Sequence, residues 1–174
     1  MASSNASRPD HLVLADLQAT LELGANLARL WLDLPPEARP ILLLEGDLGA
    51  GKTSLVQGIA RGLGIGEPIT SPSFALAHRY SGLLQGRPTQ LVHLDLYRLE
   101  QPASADELFF QEEEEAQALG ALLAVEWPGR LSALPPDAWL VQLQLLEPAR
   151  PEAGRTALIR AEGSAPPAAP ARPQ

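Results

Sequence analysis

Between residues 16 and 34, apolar positions recur at spacings of three and four, the pattern of a helix with one buried face. The residues on that face are Leu17, Leu21, Ala25, Ala28 and Leu32. Asp16 is a typical N-cap before it, and the prolines at 35 and 36 end it. Composition and spacing predict two further helices, over residues 54–63 and from 103 to about 118.

Short and almost continuous apolar runs occupy residues 41–45 and 122–126, which is typical of strands covered on both faces. Five more strands are predicted, over 11–14, 74–80, 90–96, 139–145 and 156–160. A hairpin-like connection joins the second and third of these five. Strands alternating with helices predict a three-layer α/β fold whose mostly parallel central sheet carries antiparallel additions.

The two ends of the chain differ in composition from this patterned region. Residues 1–10 are small and polar, and residues 162–174 are rich in alanine and proline. Neither segment has enough apolar surface to offset the entropy lost on ordering. We therefore expect disordered ends around one domain over residues 11–161.

Charge and composition exclude several classes of protein. Acidic residues outnumber basic ones 21 to 13 in the 174-residue chain, which gives a formal charge of −8. That balance argues against a protein that binds DNA or another nucleic-acid backbone directly. The absence of cysteine excludes disulfides and thiolate chemistry. The apolar runs are too short to span a bilayer and no export signal is visible, so a cytoplasmic protein is expected.

The segment GDLGAGKT at 46–53 fits the phosphate-loop pattern G-x-x-x-x-G-K-[ST] in full. It follows an apolar strand and precedes a helix, as that motif requires. Glycines let successive backbone N–H groups face a polyphosphate, while the lysine reaches the β- and γ-phosphates and the threonine hydroxyl binds Mg²⁺. The residues expected to contact ATP here are Gly46, Asp47, Leu48, Gly49, Ala50, Gly51, Lys52, Thr53 and Ser54. Lys52 is the only lysine in the chain.

Two acidic residues, Asp95 and Glu126, end predicted buried strands. Ligands of open α/β sheets gather at the carboxyl ends of the strands, so both side chains are candidates for facing the nucleotide. One of them would bind Mg²⁺ and the other would orient the attacking water. The residues alone do not allot these roles, and each acid is also compatible with a solvated strand end.

Other polar residues are weaker candidates. Residues 70–73 (TSPS) occupy the place of a γ-phosphate-sensing switch, or form an ordinary polar turn. Arg98 and Arg130 are suited either to neutralise transition-state charge or to pair with nearby carboxylates at the surface. The four glutamates at 112–115 are expected on a solvated helix face. His93 shares a strand face with Asp95 and is expected to be buried and hydrogen-bonded.

Four segments together resemble the bacterial TsaE (YjeE) ATPase family, in the same order and spacing: GDLGAGKTSL (46–55), TSPSF (70–74), HLDLYRL (93–99) and VEWP (125–128). The resemblance covers roughly residues 12–160. It implies a P-loop NTPase-like fold. The chain departs from the family pattern at Gly129, where the family commonly has a polar or acidic residue.

The resemblance also implies roles for particular residues. Asp95 corresponds to the aspartate implicated in hydrolysis, and Glu126 with Thr53 corresponds to the pair that holds Mg²⁺. Trp127 would lie close to the nucleotide, residues 70–73 would form the switch, and Arg155 would lie near the base. These assignments come from the family and not from spacing.

By the same resemblance, the chain is expected to be a weak Mg²⁺-dependent ATPase that supports the tRNA modification N6-threonylcarbamoyladenosine (t6A37). The family docks on the TsaB–TsaD complex, where TsaD carries out the transfer, so tRNA is met only indirectly. A P-loop small-molecule kinase is the alternative enzyme, although the arginines are scattered and no arginine-rich lid insertion is seen. A nucleotide-gated binding module without useful hydrolysis is the third possibility.

Overall fold

Seven strands and three α-helices are present in the computed structural model, which describes residues 11–168. The helices are α1 (Leu17–Asp33), α2 (Lys52–Gly62) and α3 (Pro102–Leu119). The strands are β1 (His11–Leu14), β2 (Ile41–Glu45), β3 (Ala77–Leu84), β4 (Arg87–Asp95), β5 (Leu122–Glu126), β6 (Ala138–Leu145) and β7 (Arg155–Ala161). The predicted N-terminal segment 1–10 and residues 169–174 lie outside the described residues.

All seven strands form one sheet in the order β1-β7-β6-β2-β5-β4-β3. The four central strands β6, β2, β5 and β4 are parallel, while β7, β1 and β3 are added antiparallel at the edges. Helices α1 and α2 pack on one face of the sheet and α3 packs on the other. The predicted three-layer α/β fold with antiparallel additions is therefore confirmed.

The predicted apolar runs form the centre of the sheet because both of their faces are covered. Leu42, Leu43 and Leu44 of β2 are fully buried, and every residue of β5 is buried. Asp16 caps α1 as predicted, since its carboxylate accepts a hydrogen bond from the Ala19 N–H at 2.8 Å. Local sequence thus places β2, β5 and α1 within a residue or two of their observed ends.

Three predicted elements, two strands and one helix, differ from the structure at their ends by two residues or more. Strand β3 begins at Ala77 rather than at residue 74, because residues 73–75 form a turn and Leu76 has a positive φ of 66°. The predicted hairpin-like connection is itself largely strand, and the chain reverses at Gln85 and Gly86. Helix α2 begins at Lys52, two residues before its predicted start, so it continues directly from the phosphate loop.

The first residues of the predicted C-terminal tail lie against the domain. The Trp139 indole N–H donates to the Pro166 carbonyl at 2.7 Å. Ala165 and Ala168 pack beside the core shared by the sheet, α1 and α2. Residues 162–168 are thus placed on the domain, whereas the prediction treated them as part of a disordered tail.

One of the four glutamates at 112–115 is buried, contrary to the prediction of a solvated face. Glu112 is buried on α3, where its carboxylate accepts a 2.8 Å hydrogen bond from the Arg79 guanidinium of β3. The run of four glutamates did not reveal this burial, because the partner of Glu112 lies on another element. The pair links α3 to the edge of the sheet.

Helices α1 and α2 cross at glycines, which brings their backbones into contact. A Cβ at Gly24 would overlap the Leu55 carbonyl oxygen, and a Cβ at Gly58 would overlap the Leu21 carbonyl oxygen. Neither neighbour is a side chain that can rotate away. The start of α2, and with it the phosphate loop, is therefore held against α1 by close backbone packing.

We expect Gly58→Ala to lower the free energy of unfolding by about 1–3 kcal/mol, because the new methyl group meets the backbone of α1. This is the net loss, which remains after the gain of about 1 kcal/mol that alanine brings to an isolated helix. Urea denaturation of both proteins measures the difference. Gly66→Ala is the control, since a Cβ there meets open space, and a Gly58→Ala protein as stable as wild type would refute the close crossing.

Candidate nucleotide-binding site

The predicted site residues meet at the carboxyl edge of the parallel strands. The phosphate loop follows β2, while Asp95 ends β4 and Glu126 ends β5. Asp95 and Glu126 are direct partners in the β4–β5 register, and Glu126 also lies beside Leu44 of β2. Parallel pairing therefore brings both acids next to the loop, as their strand-end positions predicted.

An open cleft of about 540 Å³ lies at this edge. It is bordered by the phosphate loop, by the 70–73 segment, by the ends of β4 and β5, and by the start of β7. The residues lining it are Leu48, Gly49, Gly51, Lys52, Thr53, Ser54, Ser71, Ser73, Asp95, Tyr97, Arg98, Glu126, Trp127 and Arg155. Gly46, Asp47 and Ala50 of the loop do not line the cleft.

The phosphate loop depends on glycine where it meets α2. Gly51, the residue before the helix, has φ +107°, and a Cβ there would collide with the guanidinium of Arg155. Arg155 is buried and donates from Nη1 to the Ala50 carbonyl at 2.8 Å. Arg155 thus supports the loop from the start of β7 and also lines the cleft.

Lys52 extends across the inside of the loop. Its Nζ donates to the Gly46 carbonyl at 2.6 Å and to the Asp47 carbonyl at 2.9 Å, and it lies 4.2 Å from the centre of the Trp127 ring. Burial lowers the pKa of Lys52, an effect that the nearby carboxylates, Glu126 foremost, oppose. The ammonium is thus held in a compact, partly desolvated position where a polyphosphate would bring compensating negative charge.

Glu126 is the centre of a buried hydrogen-bond network. Its Oε1 accepts from the Thr53 hydroxyl at 2.9 Å and lies 2.8 Å from Nε2 of His93. His93 is fully buried and hydrogen-bonded, as predicted. The sequence did not reveal that Glu126 is the hydrogen-bond partner of His93. The one related observation was that His93 and Asp95 share a face of their strand, which pairs with β5 in the structure.

Asp95 contacts a different group of residues. Its Oδ2 accepts from the Ser71 hydroxyl at 2.9 Å, and its Oδ1 accepts from the Tyr97 N–H at 2.9 Å. The Ser71 and Ser73 hydroxyls lie 2.8 Å apart. The 70–73 segment is therefore in contact with Asp95, whereas Thr53 is in contact with Glu126.

Aromatic residues also line the cleft. The Tyr97 and Trp127 rings lie 4.8 Å apart, and Trp127 has a positive φ of 61° that turns the chain after β5. Arg130 lies 5.8 Å from the Tyr97 ring, and Arg98 lies 4.4 Å from the Phe74 ring. Both arginines thus stack on aromatic rings; among the described residues neither forms the carboxylate pair considered from the sequence.

Comparison with known proteins identifies the family. A family model described as "Threonylcarbamoyl adenosine biosynthesis protein TsaE" matches residues 14–160. This chain belongs to the TsaE family. The family resemblance inferred from the four sequence segments is thereby confirmed, and with it a place in the t6A pathway of tRNA modification.

Individual TsaE proteins are similar over most of the chain. The proteins named tRNA threonylcarbamoyladenosine biosynthesis protein TsaE include one from a Synechocystis species, 48% identical over 125 residues, which are 70% of this chain and 72% of that protein. One from a Nostoc species is 42% identical over 127 residues, 71% of each chain. One from Haemophilus influenzae is 31% identical over 138 residues, 79% of this chain and 83% of that protein.

The fold has a counterpart among solved structures. The crystal structure of Bacillus subtilis YdiB superposes with a TM-score of 0.60 at 23% sequence identity, covering 90% of this chain and 87% of that one. At this identity the likeness concerns the fold alone. Among residues 11–168, no helix is long and apolar enough to cross a membrane.

Proposed function

We propose that this TsaE family member is a Mg²⁺-dependent ATPase subunit for t6A37 formation, which acts on the TsaB–TsaD complex through ATP binding and hydrolysis. The observation that supports it best is that three groups lie together. Lys52 lies inside the loop, and the Thr53 hydroxyl donates to Glu126. Asp95 is the neighbour of Glu126 in the sheet register. These are the cation, the metal-binding oxygens and the second carboxylate that ATP hydrolysis at a phosphate loop requires.

The chemistry of the donor set fits Mg²⁺ and ATP. Thr53, Glu126 and Asp95 offer only oxygen ligands, which Mg²⁺ prefers, and the loop offers backbone N–H groups at the start of α2. We assign Mg²⁺ binding to Thr53 and Glu126, because they are already joined by a hydrogen bond. Bound Mg²⁺ supplies positive charge to the β- and γ-phosphates.

Asp95 is assigned to the attacking water. Its carboxylate lies at the cleft, is joined to Ser71, and makes no hydrogen bond to Thr53 among the described contacts. A carboxylate in that position accepts a hydrogen bond from water and orients its oxygen. The hydrogen bond from Ser71 to Asp95 supports a switch role for the 70–73 segment, because a change at this carboxylate would alter that bond.

The partner assignment rests on the family and on charge. A chain with a net charge of −8 is poorly suited to bind tRNA directly, so we assign its action to the TsaB–TsaD protein complex in the cytoplasm. We expect ATP to increase retention of the chain on immobilised TsaB–TsaD. Equal retention with and without ATP would contradict nucleotide-controlled docking.

We expect ATP to change tryptophan fluorescence through Trp127. The Trp127 ring lies beside Lys52 Nζ at the cleft, so bound phosphates that attract Lys52 would change the surroundings of this ring. Trp31 and Trp139 are buried in the core. Titration with ATP should give a saturable change in wild type and in Trp31→Phe. The change should disappear in Trp127→Phe, and a signal that persisted there would remove Trp127 from the nucleotide site.

Transfer of ³²P from labelled ATP separates an ATPase from a small-molecule kinase. The ATPase assignment predicts free phosphate as the labelled product, with or without added nucleosides and coenzyme precursors. A labelled organic product would favour the kinase. A nucleotide-gated module would instead bind ATP and release no phosphate, and its function with TsaB–TsaD would continue indefinitely on a non-hydrolysable analogue.

A further inference from the structure

His93 is a buried histidine whose two ring nitrogens have different surroundings. Nε2 lies 2.8 Å from Glu126 Oε1, and the side chain has no solvent exposure. Within residues 11–168, Nδ1 has no hydrogen-bond partner. Burial of a polar ring costs free energy unless hydrogen bonds offset it, and the contact with Glu126 is the one that does so here.

The surroundings assign the ring proton to Nε2. An ionised glutamate has lone pairs and no proton to donate, so the group facing it must be the donor. If the proton were on Nδ1, that N–H would be buried without an acceptor, and the Nε2 lone pair would face the carboxylate oxygen. His93 therefore donates from Nε2 to Glu126.

Both donors that reach Glu126 meet the same oxygen. The Thr53 hydroxyl donates to Oε1 at 2.9 Å, and the His93 Nε2–H shares that oxygen. No other hydrogen bond to Glu126 is present among the described side-chain contacts, so Oε2 keeps its lone pairs. Two donors from different elements, α2 and β4, fix the carboxylate plane more strongly than one would.

We propose that His93 is a positioning residue which orients the Glu126 carboxylate for Mg²⁺, and that this role rests on the proposed ATPase function. The histidine does not line the cleft, so its role is exerted through Glu126. It acts by holding Oε1 of a carboxylate that lines the cleft, while Oε2 has no donor among the described side-chain contacts. Loss of such an outer partner typically lowers metal affinity or activity about 10- to 100-fold.

Two substitutions separate orientation from packing. In His93→Gln the side-chain amide supplies an N–H donor at about the same distance from the backbone as Nε2 of histidine. His93→Leu fills similar space without a donor. His78 provides the matched control, because it lies directly opposite His93 in the β3–β4 register and does not line the cleft. His78→Leu removes a histidine from the same part of the sheet.

The measurement is the affinity for ATP by calorimetry, with Mg²⁺ and with EDTA, together with the Mg²⁺ concentration that gives half-maximal hydrolysis. For His93→Leu we expect the Mg²⁺ requirement to rise at least about tenfold, with affinity in EDTA within about twofold of wild type. His93→Gln should recover most of the loss, and His78→Leu should match wild type. An unchanged Mg²⁺ requirement in a folded His93→Leu protein, or a loss equal in EDTA and Mg²⁺, would overturn the proposal.

The tautomer gives a test that needs neither ATP nor a variant that folds differently. Nitrogen NMR of ¹⁵N-histidine-labelled wild type should show a proton on Nε2 of His93, and the His93→Gln variant identifies the His93 signal among the three histidines. An Nε2 that carries no proton would refute the proposal. A wild-type protein that neither hydrolyses ATP nor responds to Mg²⁺ would instead refute the proposed function, while the tautomer assignment would stand.

Discussion

Replacing Lys52 by alanine is expected to lower the rate of ATP hydrolysis at least about a hundredfold, the scale of losing one preorganised charge contact in an active site. Lys52 Nζ already lies within 2.9 Å of two loop carbonyls, so its position does not depend on a search by a flexible side chain. Burial has also removed part of its hydration, which strengthens its attraction to phosphate. Phosphate release under saturating Mg²⁺ and ATP measures the effect.

Two further variants show whether the position or the charge matters. Arg61→Ala removes one positive charge from the exposed end of the same helix and should leave hydrolysis unchanged. Lys52→Arg keeps the charge but places a planar guanidinium where the loop holds a compact ammonium, so we expect most of the activity to be lost. Wild-type hydrolysis by a folded Lys52→Ala protein would contradict the role of the loop.

Substitution of the two strand-end acids is expected to produce two different defects. Glu126→Gln should abolish the tightening of nucleotide binding by Mg²⁺, because its partner Thr53 would lose the carboxylate it now contacts. Asp95→Asn should keep that tightening, because Asp95 contacts Ser71 rather than Thr53. Both should lower hydrolysis by about a hundredfold or more, a loss in the range seen for preorganised active-site groups.

Calorimetry with and without Mg²⁺, followed by phosphate release, distinguishes the two acids. Glu114→Gln removes an exposed carboxylate from α3 and serves as the control for charge. If Asp95→Asn lost the response to Mg²⁺ and Glu126→Gln kept it, the two roles would have to be exchanged. Full hydrolysis by either variant would remove that residue from the mechanism.

Much of the fold could be predicted because its determinants are local. The runs at 41–45 and 122–126 are apolar throughout, so their burial on both faces followed from composition alone, and each has the predicted bounds. The start of β3 could not be predicted in this way. Phe74 and Leu76 look like strand residues, but Phe74 is 87% exposed under Arg98, and Leu76 is in a turn.

The site was predictable to the extent that it lies on consecutive residues or at strand ends. Spacing alone indicated the loop, and the rule for carboxyl ends of strands indicated Asp95 and Glu126. The contacts that separate these acids, Ser71 with one and Thr53 with the other, depend on β4–β5 register and on the path of residues 70–73. Register is a property of the assembled sheet, which is also why the partner of His93 was not predictable.

The most direct test of the proposed function is repeated turnover of t6A formation on tRNA by a reconstituted system that contains TsaB, TsaD and this chain. We expect many modified tRNAs per complex with wild type and ATP, and no sustained turnover with Lys52→Ala, whose fold is checked by circular dichroism. Sustained t6A formation by Lys52→Ala, at the wild-type rate and in the same mixture, would contradict the claim that this chain acts through ATP binding and hydrolysis.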